Sequence, residues 1–92
     1  MAKFFRNKKG IGYLTLGFFD LVNYSRNPDP ICDECLSLLA ESSKIVLIPI
    51  LNEAFCEHCY KERLDDVVDY PGDRTIRKKR EEFCKDFFQL KE

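Results

Sequence analysis

Two pairs of cysteines constrain this chain more than anything else in it. Cys32-Asp33-Glu34-Cys35 and Cys56-Glu57-His58-Cys59 are separated by twenty residues, 36–55. Two residues between cysteines let a tight turn aim both sulfurs at one point about 2.3 Å away, the zinc–sulfur distance. A linker of this length has room for a hairpin that returns the second pair to the first. The expected arrangement is therefore four thiolates, from Cys32, Cys35, Cys56 and Cys59, on one tetrahedral structural Zn²⁺. The alternatives are a redox dithiol and a catalytic zinc. A catalytic ion usually keeps an open position beside three protein ligands, whereas four sulfurs close the shell.

The chain's size agrees with a metal staple. Ninety-two residues give one domain, 1–92, with no room for a second independent core. Domains this small often need a disulfide or an ion to supplement the core. With 45% apolar and 34% charged residues, the composition is that of a folded domain, not a disordered tail. No apolar run reaches the roughly 18–20 residues that span a bilayer, so no membrane partner is expected. The basic N-terminal stretch lacks a signal-peptide cleavage pattern, and the expected location is the cytoplasm, where paired cysteines more often hold metal than form disulfides. Five cysteines, an odd number, fit four ligands and one bystander.

The net charge of −1 conceals segregation. Residues 1–30 carry +3, residues 31–73 carry −7 and residues 74–92 carry +3. A four-thiolate zinc centre would add −2 to the acidic middle. Such a layout points to charge-directed contact with a macromolecule, with either sign available as the working face.

Along the chain, an N-terminal β/helical arm (1–30) precedes the zinc module (31–70) and a C-terminal helical segment (71–92). In the arm, Ile11 to Leu16 alternates loosely and predicts a short strand, and Phe18 to Tyr24 predicts one or two helical turns. Pro28 and Pro30 end any helix. The arm's aromatic residues are expected to cover the hydrophobic side of the module. After the first knuckle a helical turn is expected within 36–43, with Leu36, Leu38 and Leu39 facing inward. Residues 44–51 form the best strand, with Pro49 confined to an edge or bulge. A helix opens at Cys59 and runs to Tyr70, burying Tyr60, Leu64, Val67 and Val68; its positive end favours thiolate. A turn at Tyr70-Pro71-Gly72-Asp73 leads, with Asp73 or Thr75 as N-cap, into an amphipathic helix whose apolar face is expected to be Ile76, Phe83, Phe87 and Leu90, widened by Phe88. Cys84 is expected to be a buried apolar thiol, and His58 exposed or outside the metal's own ligand set.

A knuckle, a β-hairpin and a second knuckle opening a helix resembles the treble-clef zinc fingers, over 31–70. The fold expected from this resemblance is α+β, a small zinc-stapled treble-clef-like core with the arm and the C-terminal helix added. Treble clefs serve nucleic-acid binding, protein binding and scaffolding alike, so the likeness speaks for zinc and not for function. The first knuckle departs from zinc-ribbon knuckles in lacking Pro and Gly. The segments I-C-D-E-C-L, L-I-P-I-L-N-E-A-F-C-E-H-C-Y and D-Y-P-G-D also resemble small phage and prophage proteins of Gram-positive hosts. Some metal-binding members of that size class are anti-CRISPR proteins, which bind a type II effector nuclease and block its DNA loading.

Three functional classes follow. An enzyme is disfavoured by a single His, the absence of a Gly-rich phosphate loop and a closed metal shell. A nucleic-acid binder would use Arg74, Arg77, Lys78, Lys79 and Arg80 with Lys8 and Lys9, against a pI near 5.9. A protein-binding module would present Glu57, Glu62, Asp65, Asp66 and Asp69 to a basic surface such as a nuclease's nucleic-acid channel. The third reading is preferred here, and the phage resemblance implies inhibition of a type II CRISPR nuclease. The solvated-surface reading of both charged sets stands beside it.

Overall fold

The computed structural model describes residues 2–90. Its centre is an antiparallel sheet in which the strands lie in chain order: β1 (Lys3–Arg6), β2 (Gly12–Leu16), β3 (Ile45–Ile48) and β4 (Glu53–Cys56). Three α-helices accompany it: α1 (Phe18–Ser25), α2 (Tyr60–Asp66) and α3 (Arg74–Phe87). The strand expected near Ile11 and the helical turns near Phe18 are present. β1 was not foreseen. It pairs with β2 from Lys3 opposite Thr15 to Arg6 opposite Gly12.

The apolar pattern explains which strand lies deepest. β2 buries Gly12, Leu14 and Leu16, while Tyr13 and Thr15 are only half-covered. Successive strand residues point to opposite faces, so this alternation marks one better-covered face. In β3 all four residues of Ile45-Val46-Leu47-Ile48 are buried, so both faces of that strand are covered. Leu14 lies opposite Leu47, and Val46 opposite Phe55, which carries the core across the sheet. The strand expected over 44–51 is shorter because its second half turns. Pro49 opens the β3–β4 turn, and Asn52 closes it in the left-handed region (φ 54°).

Three sequence expectations are corrected. The turn after the first knuckle is a 3-10 turn at Leu39–Glu41, and of the three leucines only Leu39 is buried. Leu36 and Leu38 face solvent, at 68% and 50% exposure. The second correction concerns α3. Of its expected apolar face, Leu90 and the adjoining Phe88 pack against the core, but Ile76, Phe83 and Phe87 are exposed, while Glu81 and Cys84 are buried. Helix α2 ends at Asp66, four residues short of Tyr70; Leu64 and Val67 are buried, but Val68 is exposed.

The inward turn of α3 has a cause. The Glu81 carboxylate, 3% exposed, accepts the Gly12 backbone N–H at 2.9 Å and the Arg6 guanidinium at 2.8 Å. Arg77, one turn earlier on α3, stands 3.7 Å from the same carboxylate. Gly12 is required there: a Cβ would lie 2.6 Å from both Glu81 Cδ and Phe4 Cζ. Farther along, the Cys84 thiol meets the Tyr24 hydroxyl at 3.2 Å, which joins α3 to α1. Burial pushes both groups above their ordinary range, so both stay protonated at neutral pH. Cys84 is the buried thiol expected of it.

Candidate metal centre

The sheet delivers the second cysteine pair directly. β4 ends on Cys56, a tight turn brings the Cys59 N–H to the Cys56 carbonyl at 3.2 Å, and α2 begins at the next residue. Cys59 is the residue that precedes the helix, so it stands at the helix's positive end. The first pair is built by a different route. The Leu36 N–H returns to the Cys32 carbonyl at 2.9 Å, and the Cys32 N–H goes to the Ser37 carbonyl at 2.9 Å. The Glu34 N–H points at the Cys32 sulfur, 3.4 Å away. This closure places Leu36 in the left-handed region, φ 65°, a position that usually falls to Gly. That is where the missing glycine of the first knuckle would have stood.

One side chain that the sequence did not single out docks the two halves. The Asp33 N–H donates to the Ala54 carbonyl at 2.9 Å, and the Asp33 carboxylate accepts the Ala54 N–H at 2.7 Å. Asp33 thereby extends the outer edge of β4 and fixes the first knuckle two residues from Cys56. The local signal was present in Cys32-Asp33-Glu34-Cys35, since Asp readily pairs with backbone N–H groups, but its partner lies 21 residues away.

Together these constraints bring four sulfurs within 4.8 Å of one another: Cys32, Cys35, Cys56 and Cys59. A tetrahedral ion with zinc–sulfur bonds of about 2.3 Å requires sulfur–sulfur edges of about 3.8 Å. The Cys35 and Cys56 sulfurs are 3.8 Å apart. The four cysteines can therefore coordinate one zinc ion, and a set of four sulfurs is the signature of a structural site. Cys32 and Cys56 are buried, Cys59 is half-buried and Cys35 is exposed, so the ion would lie at the rim of the fold.

The sulfurs differ in how readily they ionise. A hydrogen bond from the Ser37 hydroxyl, 2.9 Å from the sulfur, lowers Cys35 to about 6. Cys59 is pushed the other way, above the ordinary thiol range, because it shares its proton with Cys56 and with the crowded sulfurs beyond. Four negative sulfurs this close repel one another until a cation joins them. His58 stays outside the cluster, its side chain 85% exposed and its Nε2 3.6 Å from the Glu57 carboxylate.

The charged candidates separate. Among the acids, Glu57 accepts the Ser43 hydroxyl, and Asp69 is held by Arg77 at 2.8 Å and Arg74 at 3.2 Å. Glu62, Asp65 and Asp66 are exposed on α2, with no ion pair among the described residues. Of the basic run, Arg74 and Arg77 are taken by Asp69, and Arg80 donates to the Ile50 carbonyl. Lys78 and Lys79 remain exposed. Lys9 is engaged too. It donates to the Val67 carbonyl at 3.1 Å and to the Asp65 carbonyl, while Asn7 donates to the Leu64 carbonyl at 3.2 Å. The β1–β2 turn thus satisfies the carbonyls at the end of α2.

Among the described residues no helix is long and apolar enough to cross a membrane. No protein-family model matches this chain, and neither the curated proteins nor the solved structures give a match.

Proposed function

We propose that the chain is a non-enzymatic, zinc-stapled, treble-clef-like module that binds another protein through the acidic face of α2. The observation that carries this reading is the imbalance in paired charge. Glu62, Asp65 and Asp66 stand exposed and unpaired on one short helix, while three of the five cations in the basic run are held inside the molecule. An unpaired acidic face beside a four-thiolate zinc centre, itself −2, attracts a basic surface and repels nucleic acid. The partner of that chemistry is a nucleic-acid-binding protein, and the resemblance of three segments to small phage proteins favours a type II CRISPR effector nuclease among such partners. In that role the module occupies the basic channel and obstructs DNA loading. Cys32, Cys35, Cys56 and Cys59 act indirectly, by holding the face in shape.

The test is binding of the zinc-loaded protein to a guide-loaded type II nuclease and, in parallel, to mixed DNA and RNA at physiological salt. Binding to the nuclease that is lost in Asp65→Lys/Asp66→Lys, with zinc content and helicity unchanged, supports the reading. Salt-sensitive binding to nucleic acid alone overturns it and moves the working surface to Lys78 and Lys79.

A further inference from the structure

Helix α3 leaves an apolar band only partly covered, by the Tyr24 ring, whose centroid lies 6.1 Å from that of Phe83 and 5.2 Å from that of Phe87. Ile76, Phe83 and Phe87 fall on one side of the helix by its 3.6-residue period, and they are 48%, 61% and 45% exposed. At its N-terminal end the band runs into a groove of about 450 Å³ walled by Val68, Tyr70 and Ile76 and rimmed by Asp66 and Arg80. Val68 and Tyr70 are themselves more than half exposed. Arg80 also lines the adjoining hollow formed with Tyr24, Lys79 and Phe83, so groove and band are continuous. The face therefore carries a depression at one end of α3 and protruding rings toward the other.

We infer that this face binds a second copy of the chain, α3 against α3 in antiparallel, with Phe83 on the two-fold axis. The charges around Phe83 select that occupant. Lys79, four residues before it, and Asp86, three after it, lie on one flank; Arg80 and Phe87 lie on the other. A two-fold axis through Phe83 reverses the helix but keeps each flank against itself. Lys79 then meets the partner's Asp86, a contact that occurs twice, while on the other flank the partner's Phe87 lies beside Arg80, whose guanidinium stays bonded to its own Ile50 carbonyl. Lys79 and Asp86 are exposed, too far apart on α3 to pair with each other, and without an ion pair among the described residues. The same reversal lays the C-terminal end of one α3 over the other's groove, so ring and depression are matched in both directions. A nucleic-acid strand fits the face less well, since Asp86 would repel it. The 14-residue helix presents about 21 Å of contact, at the small end of specific interfaces, so the dimer is concentration-dependent.

Sedimentation of the full zinc-loaded chain from micromolar to millimolar concentration tests this, with zinc content and circular dichroism confirming that each variant is folded. The expected result is a shift from one 10.8 kDa chain to two as concentration rises. Phe83→Glu, which sets two carboxylates on the axis, weakens the dimer by more than about 30-fold. Lys79→Asp or Asp86→Lys alone weakens it about tenfold through like-charge contacts, and the double swap restores it. A chain that stays monomeric throughout, or a dimer indifferent to Phe83→Glu, overturns the inference. So does a double swap no tighter than the single variants. The result is independent of whether the acidic face of α2 binds a nuclease.

Discussion

The molecule is fastened at two places by the same device, an anionic centre that gathers distant segments, and the two places differ in almost every other respect. At the metal centre four sulfurs converge within 4.8 Å, and their mutual repulsion is cancelled only by a cation from outside. At Glu81 a single buried carboxylate is neutralised from within, by Arg6, the Gly12 N–H and the nearby Arg77. The first fastening is conditional on metal and pH. The second depends only on the chain. The sheet runs between them: β4 ends in the zinc ligands, β1 and β2 hold the Glu81 partners, and β3 couples the two sides.

The largest effect is expected from breaking the conditional fastening. Structural zinc contributes about 10–16 kcal/mol of apparent binding energy in small zinc domains, comparable to the whole stability of a chain this size. Chelation, or Cys56→Ser, should unfold the module, read as loss of the circular dichroism signal together with zinc. If the signal survives chelation, Glu81 and the core suffice alone and the two fastenings are not coupled. Protons compete with the metal, so zinc affinity falls as the pH falls. Cys35, with its thiol at about 6, is already ionised at neutral pH, so the proton released on binding comes mainly from the other sulfurs. In the metal-free chain Cys35 should be alkylated first at pH 7, and mass spectrometry of the modified peptide checks this.

Breaking the internal fastening should cost less. Glu81→Ala leaves the Gly12 N–H unpaired and Arg77 without its neighbour, a loss of about 3 kcal/mol. Gly12→Val should cost a similar amount by forcing the carboxylate and Phe4 aside. Urea unfolding of the zinc-loaded variants measures both, and zinc stoichiometry should stay at one per chain. A smaller effect is expected where the second knuckle's strand meets the first. Asp33→Ala removes the paired bonds to Ala54 and should lower zinc affinity about tenfold, by competition with a chromophoric chelator. The smallest is at Leu36, whose left-handed backbone strains any residue with a Cβ. Leu36→Gly should raise the stability of the zinc-loaded protein by about 1 kcal/mol, and a fall instead would mean that its exposed side chain packs in solution.

The contrast also explains what could be seen in the sequence. Metal ligation is written locally, in the spacing of Cys32, Cys35, Cys56 and Cys59, because the chemistry needs only sulfur and reach. The start of α2 at the second knuckle and of α3 after Asp73 are local as well, set by turn residues. The orientation of α3 is not. Its periodicity marks Ile76, Phe83 and Phe87 as the face to bury, and the structure buries Glu81 and Cys84. The reason lies in partners 69 and 75 residues away along the chain, which no window of sequence brings together. β1 was missed on similar grounds. Lys3-Phe4-Phe5-Arg6 has no clean alternation, and it becomes a strand by pairing with β2. The acidic set on α2 was readable as a group, but its division into paired Asp69 and Glu57 and unpaired Glu62, Asp65 and Asp66 required the fold.

The bonds between Asp33 and Ala54 have a consequence for the protein's life without metal. β4 is the last strand of the sheet, and its outward-facing backbone groups include those of Ala54, both taken by Asp33, and the Cys56 carbonyl, taken by the Cys59 N–H. Both covers belong to the zinc knuckles. Between loss of the ion and unfolding of the module, the knuckles loosen and Glu53-Ala54-Phe55-Cys56 becomes an open sheet edge with apolar side chains, a template for pairing with other chains. The opposite edge, β1, is guarded by Lys3 and Arg6 whatever the metal does. Zinc starvation would then remove the protein from solution by aggregation through one identifiable strand, before proteolysis of an unfolded chain sets its lifetime.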